Sequence, residues 1–374
     1  MIKNIDFFKE KYEIKGKKFS PIIGNWRKQY NSLMSFEQIE FLMSVIEENK
    51  MDNALEIGVF NGVSSIAILT AGLLANKNFN LYSIDINKDE KFVGQAVKEL
   101  CDDEHKKHYH LNIGNTVFNI ENIVPKDIKF DLVFIDAGHC HPLPLFDLIY
   151  SIPFMHDNTI IVLHDVVDYM RPNAWGESFI FESWTTRKYR VYNYNLKCFS
   201  AMGVIMLHED KKELMENIKL ISKIKFRANP WGINIYRDIN NINNYKTLNY
   251  GLLFSIDDIN NLKNYVSKHY SEQFAKELQN NLITNYKIYM ENCYLYMHET
   301  RFYDYLFESN KTNTNKIKNL ESFRDELLNK ISNSEIAKDE LQNLKISFNK
   351  LIDNLAWWIP IKKLRDKFRN KFKI

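Results

Sequence analysis

The chain has 374 residues, 45% of them hydrophobic and 14% aromatic, with a formal net charge of +3. That length allows two domains and a sizeable core, while 12 glycines and 8 prolines are too few for long flexible tracts. A charge so close to balance does not mark a nucleic-acid-binding chain, and any electrostatic partner has to be sought in local clusters.

Four cysteines, Cys101, Cys140, Cys198 and Cys293, show no CxxC pair and no regular spacing. They point to a reducing cytoplasm rather than a disulfide framework. Charges interrupt Met1 to Lys9 too often for a secretory signal. No stretch reaches the ~20 uninterrupted apolar residues that a spanning helix needs. A cytoplasmic protein is expected.

Residues 1–49 read as a helical N-terminal segment, with Ser35 as an N-cap and Ile39, Leu42, Met43 and Ile46 on one face. Then the period changes. Short apolar runs follow at 54–57, 81–84, 109–113, 132–135 and 159–163, alternating with helical segments such as 64–74 and 91–100. This is the pattern of an α/β domain whose parallel strands are buried on both faces. Two further strands, 189–194 and 202–207, lie close enough to pair as an antiparallel hairpin, closing a domain over 50–210.

Residues 211–310 read as a mainly helical accessory region. It contains a helix at 211–224, a turn at Asn229-Pro230-Trp231-Gly232, a polar connector at 240–245, a helix capped by Ser255, and aromatic-rich helix from 274 to 307. The last segment, 311–374, begins with a long helix. Leu341, Leu344, Phe348, Leu351 and Leu355 step by three and four, so the helix either forms a coiled-coil seam joining two copies or packs on its own domain.

Glu56-x-Gly58-x-x-x-Gly62 stands where a strand gives way to a helix. Gly58 permits a tight turn and close backbone approach. Gly62 opens a helix whose free N–H groups can bind a carboxylate, and Ser64 adds a hydroxyl. Asp85, at the end of the next strand, stands where a carboxylate would take two ribose hydroxyls. Plain strand-to-helix glycines and a helix-capping Asp85 are the structural alternatives. A third close glycine, which an NAD-type loop needs, is absent from 59–65.

Joined with Phe130-Asp131-Leu132-Val133-Phe134-Ile135-Asp136 and Ile160-Ile161-Val162-Leu163-His164-Asp165, this order resembles class I S-adenosylmethionine (SAM)-dependent methyltransferases. Within them it is similar to the small-molecule and sugar O-methyltransferases with an Asp-x-x-His segment after strand four. The resemblance covers roughly residues 50–208. It implies a Rossmann-like seven-stranded sheet with a reversed last strand. It also implies that Glu56, Gly58 and Gly62 hold the amino-acid end of SAM, Ser64 its carboxylate and Asp85 its ribose. Where the family has Gly-Asp beside the adenine, this chain has Gly114-Asn115, and Asn115 can still hydrogen-bond the adenine edge.

Asp136 and His164-Asp165 end the fourth and fifth strands, so they face the crevice at the carboxyl edge of the sheet. Asp136 and Asp165, with His164 as third contact, are the expected ligands of a divalent ion such as Mg²⁺, which would polarise an acceptor hydroxyl. His139 is the expected general base, an imidazole working near its own pKa, beside Asp136 and Asp165. The structural alternatives are a capping Asp165, a core His164 and a loop-orienting His139. Zinc at His139-Cys140-His141 is disfavoured, since neighbours cannot readily face one ion and no second Cys/His pair lies at ligand spacing. Arg171 to Ser178 lies where such enzymes often cover the acceptor.

The chain ends with Trp357-Trp358-Ile359-Pro360-Ile361, followed from 362 onward by seven basic residues and one acidic. Leu364, Phe368 and Phe372 form an apolar stripe among them. A tryptophan pair ahead of a basic amphipathic helix suits an anionic membrane surface. The ending resembles those of bacterial enzymes that assemble surface glycans. No second basic patch supports nucleic acid. The expected function is O-methylation of a sugar or surface-polysaccharide precursor at the inner face of a cell membrane. The competing readings are a SAM-fold scaffold that holds partners through its helices, and a hydroxylase on the same fold.

Overall fold

The structure is a computed structural model that describes residues 20–30, 32–166, 176–185, 187–193, 198–226 and 254–289, with isolated positions between 346 and 370. The turn at 229–232, the connector at 240–245, the heptad positions and most of the basic tail lie outside the described residues, as do residues 171–175. The chain divides into two compact units, Met1–Tyr294 and Leu295–Ile374.

Two helices, α1 (Ser20–Tyr30) and α2 (Phe36–Asn49), precede the sheet. Ser35 caps α2 as its sequence suggests, and Gln38 completes a capping box by reaching back to the Ser35 N–H at 2.6 Å. The strands are β1 (Asn53–Ile57), β2 (Asn80–Asp85), β3 (Tyr109–Ile113), β4 (Phe130–Ile135), β5 (Met155–His164), β6 (Lys188–Asn193) and β7 (Cys198–Met206). They lie in the order β3-β2-β1-β4-β5-β7-β6. β1 to β5 run parallel, and β7 is antiparallel to both β5 and β6. The expected reversed hairpin closes this seven-stranded sheet.

Period-two alternation splits each central strand between two cores. Leu132, Phe134, Ile160 and Val162 pack with α1, α2 and α3 (Val63–Ala75). Val133, Ile135, Ile161 and Leu163 face the other core. The helix at Gln95–Leu100 (α4) lies on the α3 side, and the other core is shared with the helices at Leu143–Ser151 (α5), Gly176–Ser183 (α6), Lys211–Ser222 (α7) and Ile256–His269 (α8). The described helices beyond 210, including a helical stretch at 272–289, share this core with the sheet. Ile218, Ile259, Leu262 and Leu278 are buried in it, and Tyr265 Oη donates to the Tyr150 carbonyl at 2.7 Å.

One helix is shorter than its apolar spacing suggests. Residues 91–94 form a turn because the Asp89 carboxylate accepts the N–H of Lys91 at 3.0 Å, and Gly94 takes φ +69°. A side chain that satisfies backbone donors competes with the helix ladder.

Among the described residues, no helix is long and apolar enough to cross a membrane.

Candidate active site

The carboxyl edge of the sheet is built first from the β1–α3 loop. Gly58 adopts φ +90° and donates its N–H to the Ile84 carbonyl at 2.9 Å, which ties the loop to β2. A Cβ at this position would sit 2.1 Å from the Asp136 carbonyl oxygen, so only glycine lets β1 and β4 release their chains side by side. Gly62 takes φ +84° as the N-cap of α3 and supplies no side-chain cap. The first N–H groups of α3 are therefore available to an anion. Asn61 donates from Nδ2 to the Tyr30 carbonyl and so anchors the loop on α1.

Asp85 closes the loop from β2. Its Oδ2 accepts the N–H groups of Val59 and Phe60, each at 2.9 Å, and its Oδ1 accepts Asn87 N–H at 2.8 Å. Asn115 follows β3, with its N–H on the Asp85 carbonyl at 3.2 Å. Gly58, Ser64, Asp85 and Asn115 line one cavity of about 570 Å³, together with Asp136, His139, His164 and Asp165.

Glu56 and Gly62 are not among the residues that line it. Glu56 is fully buried beneath the loop, where Ser64 Oγ donates to its Oε1 and Ser65 and Ser83 Oγ donate to its Oε2, all at 2.6 Å. The sequence reading has Glu56 at the donor; here its carboxylate lies below the loop and ties α3 to β2. Ser64 lines the cavity while its hydroxyl donates to Glu56, where the sequence reading has that hydroxyl on the donor's carboxylate.

Burial pushes Glu56 up to about 7, against three serine hydroxyls that hold it down, with the charge of Asp136 adding to the rise. The folded chain thus binds this proton more tightly than the unfolded chain. Its stabilisation is present at pH 4.5 and is lost as pH rises towards 7. Relative to Glu56→Gln, the wild type should lose on the order of 3 kcal/mol across that window. Denaturant titrations of both proteins at acid and mildly alkaline pH measure this, and a difference independent of pH would refute it.

The other half of the cavity belongs to β4 and β5. Asp136 N–H bonds the Ile57 carbonyl at 2.9 Å, and Asp165 holds φ +53°, with the following Val166 N–H on the Ala201 carbonyl at 3.0 Å. A non-glycine residue in the left-handed region is a strained placement of the kind found at functional sites. Among the described residues, the metal-ligating side chains whose donor atoms converge within 4.8 Å are Asp136, His139 and Asp165. His139 Nε2 lies 3.4 Å from Asp165 Oδ2.

His164 is buried, its Nδ1 3.0 Å from Asp136 Oδ1 and 3.3 Å from Asp165 Oδ1. Burial lowers its pKa, but the two carboxylates outweigh that and hold it at about 9. The carboxylates thus favour its protonated form, and the third side chain that converges with them is His139, where the sequence reading has His164. His139 is itself pushed up to about 10: burial acts downward, and Glu177, Asp136 and Asp165 together overcome it. The three carboxylates thus favour the protonated ring in the ligand-free chain, where the sequence reading has an imidazole titrating near its working pH.

Two carboxylates escaped sequence reasoning. Glu177 is fully buried on α6 with Oε1 2.8 Å from His139 Nδ1, and Asp147 on α5 lines the cavity while nearly buried. Burial, then the charge of Glu177, pushes Asp147 well above the usual carboxylate range. The signal that could have found them is a lone acid inside an apolar helix, as in Leu143-Pro144-Leu145-Phe146-Asp147-Leu148-Ile149.

Residues 55–166 match the family model of a methyltransferase domain. No curated protein matches the chain in sequence. Among solved structures, the chain is similar to the O-methyltransferase TomG from Streptomyces achromogenes, in complex with SAM. The identity is 17% with a TM-score of 0.39, over 55% of this chain and 98% of that one. It is similar also to an O-methyltransferase from Bacillus cereus in complex with SAH, at 13% identity and a TM-score of 0.37, covering 53% and 94%. A third likeness is the SAH-bound Podospora anserina methyltransferase PaMTH1, at 13% and 0.36, covering 50% and 88%. The match to the methyltransferase-domain model spans β1 to the end of β5, the part of the seven-stranded sheet that carries the glycine loop, Asp85 and the Asp136–His139–Asp165 group.

Proposed function

We propose that this chain transfers a methyl group from SAM to a hydroxyl of a sugar or surface-glycan precursor. The observation that carries the reading is that the glycine loop and the Asp136–His139–Asp165 group open into the same cavity. A donor seated by Gly58, Asp85 and Asn115 would place its sulfonium methyl towards the second group. The acceptor oxygen attacks that methyl carbon, the carbon–sulfur electron pair returns to sulfur, and SAH leaves neutral at sulfur. The acceptor's proton passes to the Asp165 carboxylate, which faces His139 Nε2.

A divalent cation fits the same residues. Asp136, Asp165 and His139 would hold it, and its mixed oxygen and nitrogen donors suit Mn²⁺ or Zn²⁺ as well as Mg²⁺. When bound, it would lower the pKa of an acceptor hydroxyl. Its binding would also displace the proton that His139 otherwise carries. The sugar or glycan class of acceptor is supported by the resemblance of the strand-end motifs and by the basic Trp-Trp tail, whose partner would be an anionic membrane surface.

The test is calorimetry of the full chain with SAM, followed by incubation of labelled SAM with extracts of surface-glycan intermediates, with and without Mg²⁺ or EDTA. Saturable SAM binding and label transfer into the glycan pool are expected. Absence of SAM binding would sink the reading, and transfer that EDTA leaves untouched would remove the cation from it. Sedimentation with anionic against neutral lipid vesicles tests the tail.

A further inference from the structure

Three contacts make α6 a brace across the two strand ends of the site. Gly176 N–H donates to the His139 carbonyl at 2.7 Å, Glu177 Oε1 lies 2.8 Å from His139 Nδ1, and Ser178 Oγ donates to the Asp165 carbonyl at 3.3 Å. Gly176 is packed tightly enough that a Cβ would come within 2.8 Å of Pro144 and 3.2 Å of the His141 nitrogen. The start of the helix therefore cannot drift from the loop that carries His139. Three consecutive residues thus grip both residues that form the 3.4 Å His139–Asp165 pair.

The placement of Glu177 is costly for a purely structural residue. An acid in the first turn of a helix is favoured by the helix dipole, but it normally stays in water. Glu177 is fully buried, and its second oxygen, Oε2, has no hydrogen-bond partner among the described residues. Three further carboxylates, Asp136, Asp147 and Asp165, surround the same histidine electrostatically. A buried carboxylate with one oxygen unsatisfied is poor packing. Its return is orientational: a histidine whose Nδ1–H is fixed by a carboxylate must present Nε2 on the opposite side. Here that side holds Asp165 and the cavity.

We infer that Glu177, which lies outside the segment matched as a methyltransferase domain, is the positioning residue that holds His139 by Nδ1 and so delivers Nε2 to the acceptor side. The consequence for catalysis rests on the methyl-transfer reading, whereas the geometry does not.

The experiment uses the full chain with ¹⁵N-labelled histidine. Among the exchange-protected Nδ1–H resonances, the one lost in His139→Gln is assigned to His139. Glu177→Gln should shift this resonance, since an amide oxygen can still accept from Nδ1–H, and Glu177→Leu should abolish it while SAM affinity and helix content stay unchanged. With an acceptor that supports transfer, Glu177→Leu should lower kcat on the order of 10–100-fold, with partial rescue in Glu177→Gln. In a His139→Gln background the same change should cost nothing further. A ring resonance indifferent to Glu177, or an equal loss in both backgrounds, would overturn the inference. If the resonance responds as expected but no acceptor is ever methylated, the methyl-transfer reading fails and the positioning stands.

Discussion

Gly58→Ala is expected to abolish SAM binding. At φ +90° any side chain is strained, and the added Cβ would lie 2.1 Å from the Asp136 carbonyl oxygen, 2.6 Å from its carbon and 2.8 Å from Ala137 Cα. All three neighbours are backbone at the end of a central strand, so no rotamer change can relieve the contact. The loop must lift away from β4, taking with it the Val59 and Phe60 N–H groups that now sit on Asp85. Strain of about 3 kcal/mol borne by the binding-competent loop corresponds to roughly a hundredfold loss of affinity. The geometry makes this a lower bound. Gly24→Ala in α1 is the control, because a Cβ there meets nothing within 4 Å. Calorimetry on both variants decides the matter, and a Gly58→Ala protein that binds SAM like the wild type would remove the loop from the donor site.

Asp165→Asn is expected to do the opposite: leave SAM binding intact and stop methyl transfer. Asparagine tolerates the left-handed backbone that Asp165 adopts at φ +53°, so the substitution tests charge rather than fold. It removes a carboxylate that faces His139 Nε2 at 3.4 Å and His164 Nδ1 at 3.3 Å. Both imidazoles would lose part of the charge that holds them protonated, and the carboxylate that takes the acceptor's proton would be gone. General-base contributions of this kind amount to about 10²–10⁴-fold. The measurement is label transfer at saturating SAM beside a calorimetric SAM titration. Equal loss of both would place Asp165 in the donor site, and unchanged transfer would take it out of the reaction.

How much of this was legible beforehand follows from how local each cause is. β1 to β5 showed as short apolar runs because parallel strands are buried on both faces, and burial leaves its mark on consecutive residues. Ser35 and Ser255 announced their helices because a cap and the N–H it satisfies are only three residues apart. The length of α4 was misjudged because the Asp89 turn competes locally with an apolar spacing that looks helical. In the site, Asp136, His139 and Asp165 were readable as residues at the ends of strands.

The amino-acid sequence by itself determined the sheet, its reversed hairpin and the glycine loop, since each depends on composition or spacing within a few positions. Only the tertiary structure decided what the polar side chains do. Glu56 meets Ser64, Ser65 and Ser83 because α3 and β2 converge on one buried point, and that turns an expected donor contact into an internal support. His164 lies between two acids, while His139 joins them as the third converging side chain, a choice made by side-chain direction at the strand ends. Glu177 reaches His139 from 38 positions away because α6 packs back across the sheet edge. A hydrogen bond is a short-range, directional contact, and over such separations its partner is chosen by the packing of whole elements, which periodicity along the chain does not encode.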